Sequence, residues 1–254
     1  MALLLNLLNQ SRGGAMSIPH SYLKGIQMLT KGNNHEPKTI DDIIFGSNES
    51  KLRIEDIVSG AEALPYCGKS GVLLYGVPGT GKTTLANLLP NAIEKNKSGY
   101  ELAWDAEYIG CQQGFNGPQV MTFIQNIMGK STFNKSGLHY IIIDEVDHLS
   151  NLAHKSLKTA LNTTRGVFIL TTNNVSQLDK GLLDRCVLVE MNAANPNAYL
   201  DIAKAIAGEV GIVFSNDELL PTIQAANGSF RNLFHNVGRL ARRKSQQLPP
   251  NVIY

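Results

Sequence analysis

Eight residues restrict this chain more than any others: Gly76-Val77-Pro78-Gly79-Thr80-Gly81-Lys82-Thr83 matches the pattern G-x-x-x-x-G-K-[ST] in full. A short apolar run, Gly71–Tyr75, precedes it and a helix-like segment follows, which is the setting the pattern requires. In such a loop the glycines let successive backbone N–H groups wrap phosphate oxygens, and the start of the helix adds a favourable dipole. Lys82 is expected to neutralise β- and γ-phosphate charge. Thr83 is expected to hold Mg²⁺ through its hydroxyl, and Thr84 extends the nucleotide-binding stretch. The alternative, a glycine-rich turn that matches by accident, is disfavoured by the elements on either side.

The rest of the chain suits one large domain with a small appendage, since 254 residues with 43% hydrophobic content can bury a sizeable core. From Gly71 onward, apolar runs at 71–75, 102–105, 140–143, 167–171 and 187–191 alternate with helix-like segments. That pattern predicts an α/β fold with buried parallel strands flanked by helices. Beyond Met191 the pattern turns helical, at about 197–211, 215–227 and 229–244, with Ser215 as a cap and Gly211 and Gly228 as stops. The expected organisation is an arm at 1–35, a nucleotide-binding domain at 36–192, a helical lid at 193–245 and a tail at 246–254 containing Pro249 and Pro250. Residues 1–8 are apolar but short and lack a basic start, so they read as a small helix or docking peptide. A frayed terminus ahead of a second start at Met16 is the competing reading. Three scattered cysteines give neither a disulfide framework nor a zinc site, so a reducing cytoplasm is expected. A net charge of +2 marks no nucleic-acid or membrane surface on average, and any basic surface must be local.

A second motif supplies acids. Tyr140-Ile141-Ile142-Ile143-Asp144-Glu145 is an apolar strand that ends in two carboxylates, and strand ends are where α/β sheets hold nucleotides. Asp144 is placed to reach Mg²⁺ beside Thr83. Glu145 is placed to orient and deprotonate water, a group that binding alone would not need.

Together these motifs resemble the AAA+ superfamily of P-loop NTPases, and within it the clamp-loader small subunits of the replication factor C kind. Glu36-Pro37-Lys38-Thr39-Ile40-Asp41-Asp42-Ile43 is similar to the family's box on the adenine side, and Phe168-Ile169-Leu170-Thr171-Thr172-Asn173-Asn174 to its sensor-1 strand. The resemblance implies that Asn173 helps place the attacking water. Twelve positions later Leu183-Asp184-Arg185-Cys186 resembles the Ser-Arg-Cys motif, implying that Arg185 reaches the γ-phosphate of a neighbouring subunit. Gly228-Ser229-Phe230-Arg231-Asn232 resembles the sensor-2 motif, with Arg231 as its arginine. Two departures stand out: Asp184 replaces the usual serine and is free to pair with Arg185, and the chain ends after the lid, where clamp-loader subunits continue into a collar. Each arginine also has a plainer reading, Arg185 as a strand cap and Arg231 as a solvated side chain.

The family's chemistry implies ATP and Mg²⁺ as cofactors, assembly through ATP interfaces as a homo- or hetero-oligomer, and ATP hydrolysis coupled to assembly on DNA. A sliding clamp or other replication protein is the implied partner, and no membrane is expected. Two other functions remain open: a ring ATPase that remodels a protein partner, and a DNA-bound switch that recruits a helicase or transposase. For the first, Tyr108-Ile109-Gly110 is similar to a polypeptide-gripping pore loop, although the glycine-rich stretch 110–117 reads equally as a loop leading into a helix. For DNA, no acid follows Glu218, while Arg231, Arg239, Arg242, Arg243 and Lys244 gather in the last helix. The spacing puts Arg231, His235, Arg239 and Arg242 on one face, which is suited to phosphates or simply to water.

Overall fold

The computed structural model describes residues 35–104, 106–111 and 116–247. Most of the arm, the docking peptide, Asp105, the middle of the glycine-rich loop at 112–115 and the tail with its two prolines lie outside these residues.

Five strands, β1 (Gly71–Tyr75), β2 (Glu107–Gly110), β3 (His139–Asp144), β4 (Gly166–Thr172) and β5 (Cys186–Glu190), form one parallel sheet in the order β2-β3-β4-β1-β5. Period-2 alternation sends Val72 and Leu74 of β1 to one face and Leu73 to the other. The first face is covered by helices α1 (Asn48–Ser59) and α2 (Lys82–Ser98), through Ile54, Ile57, Leu85, Leu89 and Ile93. The second is covered by α3 (Gly117–Met128), α4 (Asn151–Ala160) and the short α5 (Lys180–Asp184). Burial on both faces is why β1 and the stretch Val167–Leu170 of β4 read as unbroken apolar runs.

Four strands fall within two residues of their expected positions; the second does not. Residues 102–104 are not strand, because the Leu102 N–H donates to Asn91 Oδ1 at 2.9 Å and the Ala103 N–H to Asn134 Oδ1 at 3.1 Å. Those donors are spent on side chains, so pairing with β3 begins only at Glu107. Tyr108-Ile109-Gly110, likened above to a pore loop, is therefore part of the second strand itself.

After β5 come a 3-10 turn, Pro196–Tyr199, and helices α6 (Leu200–Gly208), α7 (Asn216–Ala226) and α8 (Phe230–Gln247), around a core of their own that includes Ile206, Phe214, Leu219, Ile223, Leu233 and Val237. Ser215 caps α7 as expected, in a reciprocal box with Glu218. Helix α6 stops three residues before Gly211, and α7 ends on Asn227, which takes the left-handed conformation ahead of Gly228. Helix α8 runs two residues past the expected end of the lid. None of the described helices is long and apolar enough to cross a membrane.

Candidate functional site

The sheet order makes β3, β4 and β1 neighbours, so the segments leaving their carboxyl ends converge. They bring together the loop 76–81, the pair Asp144-Glu145 and the tip Thr171-Thr172-Asn173. These segments border a cavity of about 400 Å³. Pro78 through Thr84, Asp144, Glu145, Asn173 and Arg231 all line it. His35, Ile43 and Ile44 from one side and Phe230 and Phe234 from α8 also line it. Gly76 and Val77 stand behind this wall, where their carbonyl oxygens accept from the Lys82 ammonium at 3.0 and 2.8 Å.

The loop needs its glycines. Gly79, at φ +85°, lies so close to the lid that a Cβ would stand 2.4 Å from Ser229 Oγ, and Gly81 caps α2 at φ +91°. The lid rests directly on this loop, since the Phe230 N–H donates to the Gly79 carbonyl at 3.0 Å. Lys82 is buried. Burial pushes its ammonium below the ordinary lysine range, and Arg231 adds to this, while Asp144, Asp147 and Glu145 pull the other way.

Asp144 accepts from three hydroxyls. Thr83 Oγ1 lies 3.0 and 3.2 Å from its two oxygens, Tyr108 Oη donates to Oδ2 at 2.7 Å, and Thr171 Oγ1 donates to Oδ1. Burial and the neighbouring Asp144 push the Tyr108 phenol up to about 12, so it stays a donor at neutral pH. Thr83 gives its proton to the carboxylate and keeps its oxygen lone pairs, which suits a hard cation shared between hydroxyl and acid. Among the described residues no group of three or more His, Cys, Asp or Glu could hold a metal. A cation here would complete its shell with phosphate oxygens and water, as Mg²⁺ does.

Glu145 has φ +59°, a left-handed conformation that costs a non-glycine residue on the order of 1 kcal/mol. Its N–H donates to Thr171 Oγ1 at 2.9 Å, so one threonine steadies both acids. His148 Nδ1 approaches the Glu145 carboxylate at 3.5 Å. Asp147 accepts from Thr172 Oγ1 at 2.9 Å.

Arg185 is the expected site residue that the fold keeps away. It precedes β5 beside the amino end of β1, where its carbonyl accepts from the Ser70 and Gly71 N–H groups. The pairing open to Asp184 is not formed: the Arg185 guanidinium donates to Asn162 Oδ1 and to the Gly181 carbonyl, both at 2.8 Å.

In α8 the exposed face is the series Arg231, His235, Arg239 and Arg243, whereas Arg242 is half-buried. Lys244 is committed elsewhere, 2.7 Å from Glu218 Oε1 and stacked over Phe214. The sequence reading also missed Tyr108 and Thr171 as partners of Asp144. The signal available for Thr171 was its place at the end of β4, one residue before Thr172 and the polar tip.

Residues 72–192 match the ATPase family associated with various cellular activities (AAA). Among curated proteins the chain is 27% identical over 225 residues to replication factor C subunit 4 of Caenorhabditis elegans, covering 85% of this chain and 64% of that protein. It is 23% identical over 233 residues to replication factor C small subunit 2 of Pyrobaculum islandicum, covering 86% and 65%. The chain thus spans just under two thirds of the length of these relatives. Among solved structures, the Thermotoga maritima RuvB Holliday junction branch migration motor superposes with a TM-score of 0.57 at 19% identity, over 84% of this chain and 65% of that one. Caenorhabditis elegans PCH-2 superposes with a TM-score of 0.56 at 16% identity, over 80% and 71%. The fold is therefore that of the AAA+ P-loop proteins, a parallel sheet flanked by helices with a helical C-terminal part.

Proposed function

From the premise that this chain carries an AAA ATPase domain at residues 72–192, we propose that it is a Mg²⁺-dependent ATP hydrolase of the clamp-loader type, which couples ATP binding and hydrolysis to assembly on DNA in replication. The observation that carries the hydrolase reading is the convergence of Lys82, Thr83, Asp144, Glu145, Asn173 and Arg231 on one cavity. The likeness to replication factor C small subunits along most of the chain supports the process.

In this reading the apolar side chains lining the cavity take the base and the loop amides take the phosphates. Thr83 and Asp144 would hold Mg²⁺, which when bound neutralises charge on the phosphate oxygens. Lys82 holds β/γ-phosphate charge, Asn173 orients a water, and Glu145 accepts its proton. Arg231, carried at the start of α8, brings a positive charge from the lid to the phosphates, so closure of the lid and occupation of the site favour each other. Arg185 serves the site of an adjacent subunit, and oligomerisation is part of the activity.

The remodelling reading loses its main support, because Tyr108 belongs to β2 and its hydroxyl is engaged by Asp144. DNA is the expected stimulus. Its phosphates would meet the exposed face of α8, so binding should weaken as salt rises. Reversing Arg239 and Arg243 to Glu should lower DNA affinity and reduce the slope of log Kd against log salt by about 2, with ATP affinity unchanged. ATP turnover that ignores DNA but rises with an unfolded polypeptide would replace this proposal with the remodelling one.

A further inference from the structure

Two of the three hydroxyls on Asp144 come from segments that any nucleotide site of this design must place there, the start of α2 and the end of β4. The third comes from the edge strand. In the β2–β3 register Gly110 lies opposite Asp144 and Tyr108 opposite Ile142, so Tyr108 must reach forward two residues, about 7 Å, to touch the acid. A tyrosine has the length and rigidity to do so; a serine or threonine at this position would fall short. The ring passes over Gly110, where a Cβ would lie only 3.6 Å from it.

A carboxylate offers about four acceptor directions. Thr83, spread over both oxygens, Thr171 and Tyr108 occupy most of them and fix the plane of the Asp144 carboxylate. Among the described residues no lysine, arginine or histidine forms an ion pair with Asp144, so these hydroxyls orient the acid without neutralising it. An acid held in place and without a cationic side chain against it is what a cation shared with phosphates requires.

We infer that Tyr108 is a positioning residue for the Mg²⁺ site, acting through its hydroxyl on Asp144. This rests on the reading of Asp144 as the acid that serves Mg²⁺. The test is Tyr108→Phe, which removes one oxygen and keeps the ring in place. Binding of a fluorescent ATP analogue is measured in EDTA and across a Mg²⁺ series, with Thr171→Val as a second variant that removes a different donor from the same acid. Tyr108→Phe should leave affinity in EDTA and the thermal midpoint as in wild type and raise the half-saturating Mg²⁺ concentration about tenfold, the lower end of the usual effect of such supporting groups. Thr171→Val should shift it in the same direction. If wild type responds to Mg²⁺ and the Tyr108→Phe curve superposes on it, the positioning role is wrong while the reading of the site stands. If binding by wild type is indifferent to Mg²⁺, the reading of Asp144 and this inference fall together.

Discussion

Glu145 differs from Asp144 in what surrounds it. Asp144 is wrapped in hydroxyls, whereas the Glu145 side chain projects into the cavity from a left-handed backbone with His148 as its neighbouring group. That backbone turns the second acid away from the direction of the strand, which suits the proposed division between a cation-binding Asp144 and a water-activating Glu145. Glu145→Gln keeps the shape and the ability to orient water but cannot take a proton. We expect ATP affinity within about twofold of wild type and turnover reduced by roughly 10²- to 10⁴-fold. Single-turnover hydrolysis beside an equilibrium binding titration checks this; turnover within a few-fold of wild type would place the base elsewhere.

The helices and strands are tied by buried polar contacts as well as by apolar packing. Glu94 of α2 has no exposed surface, and its carboxylate accepts from the Ser136 N–H at 3.0 Å, from Ser136 Oγ and from Tyr140 Oη of β3 at 3.0 Å. Burial alone would push this carboxyl up, but the hydrogen bonds from Ser136 and Tyr140 prevail and hold it below the ordinary carboxylate range. Glu94→Ala leaves those donors buried and unpaired, at a cost of about 3 kcal/mol of unfolding free energy. Glu94→Gln, which keeps one acceptor, should cost less. Because the folded pKa lies below the unfolded one, the contribution is fully present above the ordinary carboxylate range and is lost as pH falls through the folded value. Denaturant unfolding at neutral and acidic pH reads both effects, and an alanine variant within about 0.5 kcal/mol of wild type would mean that water satisfies these donors. A backbone contact ties the C-terminal helices to the site in the same way, from the Phe230 N–H at the amino end of α8 to the Gly79 carbonyl.

The position of Arg185 decides how a whole molecule is expected to work. Gly71 pairs with Cys186 at the amino end of the sheet, and the phosphate loop leaves the other end of β1, roughly 13 Å away along the strand. An arginine held there by Asn162 and Gly181 does not line its own chain's cavity. In the proposed trans role Arg185 would make activity a property of neighbouring copies, so ATPase per subunit should rise steeply with protein concentration. Arg185→Ala should lower turnover on the order of 10³-fold. Mixing it with inactive Glu145→Gln should restore part of the rate, since an interface that pairs an intact finger with an intact base then forms. No recovery in a mixture shown by native mass spectrometry to contain both variants would rule out the trans assignment between copies of this chain.

Much of this architecture is legible in the sequence, because its signals are local. Gly76 through Thr83 fix their own loop, the unbroken apolar run at 71–75 marks β1 as a strand buried on both faces, and Ser215 with Glu218 fixes the start of α7, each within a few residues of chain. Residues 102–105 misled because an apolar run reads as strand whatever partners its backbone finds, and here Asn91 and Asn134 took the donors. Tyr108 misled for a related reason: its composition suits a gripping loop, and only the pairing of β2 with β3 brings its hydroxyl to Asp144. The same holds for Phe230 against Gly79 and for Arg185 at the far end of the sheet. These contacts join residues tens to more than a hundred positions apart, so they follow from the order in which five strands pack side by side and from how the C-terminal helices pack against the sheet domain. Periodicity and caps act over a single turn or strand and carry no information about that order.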